Sequence, residues 1–122
     1  MAKLRHIALS VPDPEKAADF YCEAFDMERV GTTDSPLARG SYVSDGVITV
    51  ALLAYKSDEW AGYVEGEDER GKDYQGIHHM GFWVDDIVET EKKIEAAGGK
   101  YFQGRPDEDA PDTFYEMKFR DP

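Results

Sequence analysis

The chain has 122 residues, 41% of them hydrophobic, and a formal net charge of −12 at pH 7. This length supports one compact domain, and the acidic balance disfavours binding to nucleic acid backbones and to anionic membrane surfaces. Cys22 is the only cysteine, so no disulfide forms within the chain, and we find no signal peptide or membrane span. We therefore expect a cytoplasmic protein.

The first elements along the chain are a strand and a helix. Apolar residues alternate over residues 4–11, which predicts a strand with its apolar side chains on one face and His6 on the other. Asp13-Pro14 predicts the start of a helix, because aspartate is a good N-cap and proline suits the first helical position. The helix carries an apolar stripe. We expect that stripe to cover the strand face opposite His6.

Three extended segments follow the helix, over residues 28–33, 37–43 and 47–55. Asp45-Gly46 predicts a hairpin turn between the last two. The third segment is almost fully apolar and rich in β-branched residues, which indicates a central strand buried on both faces. Residues 56–76 are then acidic and contain glycine, as is typical of a solvated linker. Its aromatic residues predict attachment to the protein or to a partner chain rather than full disorder.

The sequence repeats itself once. His6-Ile-Ala-Leu-Ser-Val-Pro-Asp13 matches His79-Met-Gly-Phe-Trp-Val-Asp-Asp86 at a constant offset of 73 residues. The second copy predicts a strand over residues 77–84 with His79 opposite the apolar face, and then a helix capped at Asp85-Asp86. Two further strands are predicted, over residues 100–104 and 113–120. By comparison with the first copy, one last strand is missing.

This arrangement resembles the vicinal oxygen chelate superfamily, which includes glyoxalase I, extradiol dioxygenases, methylmalonyl-CoA epimerase and the bleomycin-resistance proteins. The resemblance covers nearly the whole chain and rests on both histidine motifs, Gly76-Ile-His-His, Ala96-Ala-Gly-Gly99 and Phe119-Arg-Asp-Pro122. It implies an α+β fold in which tandem βαβββ modules form a cupped mixed sheet, with the second module lacking its last strand in this chain. We expect the modules over residues 1–55 and 77–122, with the acidic linker over residues 56–76.

The resemblance also implies a metal site in the cup. His6 and His79 match the superfamily's first-strand ligands, and each can bind a divalent ion such as Fe, Mn, Zn or Ni through a neutral imidazole nitrogen. The small residues Ala8 and Gly81 beside them are expected to leave space for a ligand. His78 is expected to point to the other face and is a second choice as a ligand.

The other ligand positions depart from the superfamily pattern. Metal-dependent relatives carry a carboxylate on the fourth strand, and that position aligns with Leu52, which cannot ligate. The remaining carboxylate is expected beyond Pro122. Glu116 falls on the predicted seventh strand, away from the ligand positions, and we interpret it as a solvated or salt-bridged residue. Two histidines and one further group would form an open site of the extradiol type rather than the four-ligand site of glyoxalase I.

Three functions stay open at this point. The first is a divalent-metal-dependent enzyme of lyase, isomerase or extradiol dioxygenase type, acting on a small substrate with two adjacent oxygens. The second is a metal-free small-molecule binder resembling the bleomycin-resistance proteins, with Trp83, Phe114 and Tyr42 lining the cup. The third is a chain in which both histidines are ordinary strand residues. We expect no nucleotide cofactor, and the open sheet edge predicts a homodimer.

Overall fold

A computed structural model of the chain describes residues 1–106 and 116–122. These residues form a mixed α+β fold with two helices, a five-stranded mixed sheet and a two-stranded sheet. The elements are β1 (Lys3–Ser10), α1 (Pro14–Phe25), β2 (Glu28–Asp34), β3 (Ala38–Ser44), β4 (Thr49–Tyr55), β5 (Gly76–Trp83), α2 (Ile87–Ala96), β6 (Lys100–Gln103) and β7 (Lys118–Arg120). The predicted order of strands and helices is confirmed over these residues.

The helix α1 begins and packs as its sequence predicts. The side chain of Asp13 caps it by accepting a hydrogen bond from the backbone N of Lys16 at 3.2 Å, and Pro14 occupies the first turn. The helix ends where Asp26 takes a left-handed conformation, with φ of 57°. Its apolar face packs on the sheet in a core of Ala18, Val43 and Leu52, with Leu9 and Val11 against it. The helix therefore covers the face of β1 opposite His6.

The five-stranded sheet has the order β2-β3-β4-β1-β5. β4 lies at its centre, parallel to β1 and antiparallel to β3, and residues 51–53 are buried. The predicted central strand is thus confirmed. β1 pairs with β5 in antiparallel orientation. The first strand of the second copy therefore lies directly beside the first strand of the first copy.

The hairpin turn between β3 and β4 is longer than predicted. One carboxylate oxygen of Asp45 accepts hydrogen bonds from the backbone N of Val47 at 2.8 Å and of Ile48 at 2.9 Å. These bonds, that of Ile48 first, lower the pKa of Asp45 below its ordinary value. Gly46 has a φ of 92°, which glycine adopts without strain. Because the carboxylate takes up these backbone donors, β4 begins at Thr49 and not at residue 47.

The structure corrects the assignment of Leu52 to a ligand position. Leu52 pairs with Leu9 in the parallel register of β1 and β4 and lies in the core beneath α1. Its side chain therefore projects from the opposite face to that of His6. The residues of β4 on the face of His6 are Thr49, Ala51, Leu53 and Tyr55. β4 still supplies no carboxylate to that face.

The chain divides into two compact units, one spanning Ala2–Trp83 and the other Val84–Pro122 with Met1. The first unit contains the five-stranded sheet, α1 and the linker, so β5 is grouped with the first copy of the repeat. Among residues 1–106 and 116–122, we find no helix with the length and apolar character of a membrane span.

The second unit contains α2 and the antiparallel pair of β6 and β7. Asp86 caps α2 by accepting a hydrogen bond from the backbone N of Glu89 at 3.1 Å, as predicted. The strand predicted over residues 113–120 is described from Lys118 onward, so Glu116 lies before β7 and not within it. Glu116 is half-buried. Its carbonyl oxygen packs so closely on Gly104 that a Cβ there would approach it to 1.9 Å.

The linker is folded by its own hydrogen bonds. Val64 and Asp68 form an isolated β-bridge. Arg70 binds both carboxylate oxygens of Asp68, with N–O distances of 2.9 and 2.8 Å. Asp58 accepts from the backbone N of Lys72 at 2.9 Å. These bonds agree with the expectation that the linker is not fully disordered. A further hydrogen bond, from Arg70 to the carbonyl oxygen of His78, joins the linker to the backbone of β5.

Candidate metal centre

His6 and His79 lie side by side on adjacent strands. Their ring centroids are 5.2 Å apart and their planes are nearly perpendicular, at 89°. His6 is buried, with 8% of its surface exposed, and His79 is half-buried. Both rings belong to the unit that spans Ala2–Trp83. The antiparallel pairing of β1 with β5 therefore brings the two repeat-related histidines together.

The register explains how two large rings fit between the strands. His6 pairs with Gly81, and His79 pairs with Ala8, so each histidine faces the small residue of the other copy. A Cβ on Gly81 would lie 2.3 Å from Cε1 of His6 and 2.7 Å from Nδ1. Only glycine accommodates the ring at this position. The expectation that Gly81 leaves space for a ligand is therefore wrong, because the imidazole of His6 occupies that space.

A β-bulge interrupts each strand one residue before its histidine. On β1 the register passes from Leu4 to His6, and on β5 it passes from Ile77 to His79, so Arg5 and His78 are the extra residues. A bulge re-aims the side chains around it. The ring of His78 turns toward His79, and the two Nδ1 atoms are 2.9 Å apart. The prediction that His78 points to the other face is therefore wrong.

His78 is held by the linker and by β4. Its Nε2 lies 2.6 Å from the carbonyl oxygen of Ala61, and its Nδ1 lies 3.4 Å from the hydroxyl of Tyr55. Arg70 donates from Nη1 to the carbonyl oxygen of His78 at 2.7 Å. The pKa of Arg70 is raised above its ordinary value, chiefly by its hydrogen bond to Asp68. The guanidinium is thus a permanent donor to the backbone beside the paired histidines.

The three residues predicted to contact a substrate have different environments. Tyr42 packs against the buried cluster of Ala8, Ala51 and Leu53, which places it on the face of the sheet that carries His6. Trp83 is more than half exposed, and the guanidinium carbon of Arg5 lies 4.5 Å from the centre of its ring. Phe114 lies outside the described residues. Contact of these residues with a substrate stays a prediction.

Comparison with known families assigns the chain to one of them. The model of the Glyoxalase/Bleomycin resistance protein/Dioxygenase superfamily matches residues 3–122. The chain belongs to this superfamily. Among curated proteins, a probable lactoylglutathione lyase from Synechocystis sp. is 29% identical over 101 residues, which cover 80% of this chain and 71% of that protein.

Solved structures of the superfamily fold resemble this member closely in backbone. A hypothetical protein, BH1468, from Bacillus halodurans aligns with a TM-score of 0.68 at 23% identity, covering 88% of this chain and 78% of its own. Methylmalonyl-CoA epimerase from Mycobacterium tuberculosis aligns with a TM-score of 0.64 at 18% identity, and the alignment covers 86% of this chain and 71% of the epimerase chain. A methylmalonyl-CoA epimerase in complex with methylmalonyl-CoA and NH4+ aligns with a TM-score of 0.63 at 19% identity, and the alignment covers 88% of this chain and 78% of the epimerase chain. At these identities the likeness concerns the fold.

In this superfamily member the first unit offers two imidazoles as donors. Neutral imidazole nitrogen suits Zn, Ni and Fe, whereas Mn more often takes additional oxygen ligands. A catalytic zinc site commonly has three protein ligands and one open position. His6 and His79 therefore fit a divalent ion as two members of a larger ligand set, and β4 adds no carboxylate to it.

Proposed function

We propose that this protein is a divalent-metal-dependent enzyme of lyase or isomerase type that acts on a small substrate with two adjacent oxygens. The observation that carries the proposal is the pair formed by His6 and His79, whose rings are 5.2 Å apart on adjacent strands. The probable lactoylglutathione lyase and the methylmalonyl-CoA epimerases among its relatives favour lyase or isomerase chemistry over the extradiol reaction.

The fit between the residues and a metal rests on the donor chemistry and on the packing. His6 is fixed by its contact with Gly81, and His79 by its contact with His78, so both rings are held before any ion binds. Such preorganisation is what a metal site requires of its ligands. A bound divalent ion supplies a Lewis acid that stabilises negative charge on a substrate oxygen. The chain itself supplies the two nitrogen donors and their orientation.

The test is a metal-binding measurement on variants of the two histidines. Protein purified without chelator is analysed for Fe, Mn, Zn and Ni, and the apoprotein is then titrated with Zn²⁺ and Ni²⁺ by calorimetry. We expect His6→Ala and His79→Ala each to lower the affinity by more than about 100-fold, since loss of an outer-shell partner alone costs about 10–100-fold. Ile77→Ala, at an exposed position of the same strand, is the control. Unchanged metal binding in His6→Ala would overturn the proposal.

The remaining ligand can be sought in the same titration. Glu116→Gln replaces the half-buried carboxylate that precedes β7 without changing its size. A loss of affinity in this variant would contradict our interpretation of Glu116 as an ordinary solvated residue. An unchanged affinity would show that Glu116 is not a ligand.

A metal-free binding function is the second candidate. It is favoured by β4, where Thr49, Ala51, Leu53 and Tyr55 provide apolar and hydroxyl groups but no carboxylate on the face of His6. If the wild-type protein takes up neither Zn²⁺ nor Ni²⁺, this candidate replaces the enzyme. Its own test is quenching of tryptophan fluorescence by aromatic ligands, which Trp83→Phe should reduce and Trp60→Phe, in the linker, should leave in place.

We also propose a homodimer. Within the described residues, β5 is the last strand of the five-stranded sheet and pairs with β1 alone. Its exposed side chains are largely apolar: Ile77, Met80, Phe82 and Trp83. An open apolar edge strand favours pairing with another chain. Light scattering coupled to gel filtration should give twice the 13.8 kDa of one chain, and a monomer at micromolar concentration would refute the dimer.

A further inference from the structure

The hydrogen bonds of His78, the neighbour of the proposed ligand His79, indicate which of its ring nitrogens carries the proton. Nε2 of His78 lies 2.6 Å from the carbonyl oxygen of Ala61. A carbonyl oxygen only accepts hydrogen bonds, so Nε2 of His78 must carry a proton. A neutral imidazole has one N–H, and Nδ1 of His78 is therefore an acceptor.

The acceptor on His78 fixes the proton on His79. The two Nδ1 atoms are 2.9 Å apart, which is a normal hydrogen-bond distance. Because Nδ1 of His78 accepts, Nδ1 of His79 must donate. The hydroxyl of Tyr55 is the weaker competitor for the same lone pair, at 3.4 Å. His79 is then protonated on Nδ1, and its Nε2 carries the lone pair.

We propose that His78 is a positioning residue that selects the tautomer of His79 whose Nε2 can bind a metal. In this arrangement Nε2 of His78 donates to the carbonyl oxygen of Ala61, and Nδ1 of His79 donates to Nδ1 of His78. Arg70 holds the same residue from the other side through its bond to the carbonyl oxygen of His78. A partner that fixes a ligating histidine in this way is an outer-shell group of the metal site. The inference rests on the proposed metal-binding function of His79.

The opposite proton order requires a charged ring. If His78 were an imidazolium, its Nδ1 would donate to His79, and Nε2 of neutral His79 would hold the proton and lose its lone pair. The two arrangements predict different tautomers for His79, and spectroscopy distinguishes them.

The first experiment reads the tautomer directly in the metal-free protein. Histidine ring nitrogens are labelled with ¹⁵N, long-range ¹⁵N–¹H correlation spectra are recorded at pH 8, and His79→Ala assigns the signals of His79. We expect His79 to be protonated on Nδ1 in the wild type and to shift toward Nε2 protonation in His78→Phe. His78→Asn, which puts a carbonyl oxygen near the former Nδ1, should restore the wild-type tautomer. Nε2 protonation in the wild type, or no change in His78→Phe, would overturn the inference.

The second experiment measures Zn²⁺ affinity in the same variants. We expect His78→Phe to lower it by about 10–100-fold and His78→Asn to recover most of the loss. Equal losses in both variants would mean that His78 acts only by packing, and would refute the positioning role. If the wild type binds no Zn²⁺ while His79 is protonated on Nδ1, the proposed function fails and the tautomer assignment stands. If Zn²⁺ binds tightly while His79 is protonated on Nε2, the proposed function stands and the positioning role fails.

Discussion

Gly81→Ala tests how the two histidines are packed. The added Cβ would lie 2.3 Å from Cε1 of His6, 2.7 Å from Nδ1 and 3.1 Å from Nε2. The shortest of these is more than about 1 Å below an ordinary carbon–carbon contact of roughly 3.5 Å. Since His6 is 8% exposed and has His79 beside it, the ring must move within a packed layer. One methyl group should therefore displace a proposed ligand.

The expected magnitude follows from two opposing effects. Alanine in place of a strand glycine gains about 0.5–1 kcal/mol of stability where nothing is in the way. Forcing a methyl group into a filled layer costs about 1–3 kcal/mol. The net of these ranges is a loss of about 0–2.5 kcal/mol, and because the overlap is with a ring in a packed layer we expect Gly81→Ala to lower the free energy of unfolding in the upper half of that range. Catalytic and metal ligands must hold their geometry to about 0.5 Å, so Zn²⁺ affinity should also fall, by about 10-fold or more.

Urea unfolding followed by circular dichroism gives the stability, and a double-mutant cycle gives its cause. In the His6→Ala background the ring is absent, so Gly81→Ala should become neutral or stabilising, with a coupling of about 1–3 kcal/mol. Gly31→Ala is the matched control, because a Cβ on this strand glycine would meet only Cδ2 of Tyr42, at an ordinary 3.6 Å. If Gly81→Ala is as stable as Gly31→Ala, or costs the same with and without His6, the packing argument is refuted.

Three further predictions concern the framework of the site. Asp13→Ala removes the cap of α1 and should lower the free energy of unfolding by about 1 kcal/mol, whereas Asp13→Asn, which also caps, should not. Hydrogen bonds lower the pKa of Asp45 in the folded protein, so the stability that its carboxylate contributes is complete above the ordinary aspartate pKa of about 3.9 and is lost as the pH falls through the lower pKa of the folded state. The urea midpoints of the wild type and of Asp45→Ala should therefore converge below pH 4. A constant difference between the two midpoints would contradict this. Arg70→Lys keeps the charge but loses the paired bonds to its carboxylate partner, so amide exchange over residues 56–75 should accelerate while that of β3 stays constant.

The framework of the first unit was predictable because its signals are local. Alternation over residues 4–11 defines which face of β1 meets the helix, and Asp13-Pro14 defines where α1 begins. The central position of β4 follows from its apolar composition. The repeat added the equivalence of His6 and His79. Periodicity and capping act within a few residues, so the sequence displays them directly.

The errors arose where pairing between strands overrides the local pattern. Strict alternation put His78 on the far face, but the bulge on β5 turns its ring toward His79. Alignment with metal-dependent relatives predicts a ligand position at Leu52, whereas the parallel register with Leu9 puts Leu52 beneath α1. Register and bulges depend on contacts between segments far apart in sequence. The repeat contains one signal for the bulge: Arg5 and His78 occupy equivalent positions and are both extra residues.

His6 and His79 are equivalent in the sequence repeat, but different interactions hold their rings in place. His6 is buried and fixed by shape, because its ring lies where any side chain at residue 81 would have to be. His79 is half-buried and fixed by a hydrogen bond, because His78 stands in the second copy where Arg5 stands in the first. His6 should therefore be sensitive to added volume at residue 81, whereas His79 should be sensitive to loss of the acceptor nitrogen of His78. Gly81→Ala should therefore act on His6 and His78→Phe on His79, and when both are combined their effects on Zn²⁺ affinity should exceed either alone.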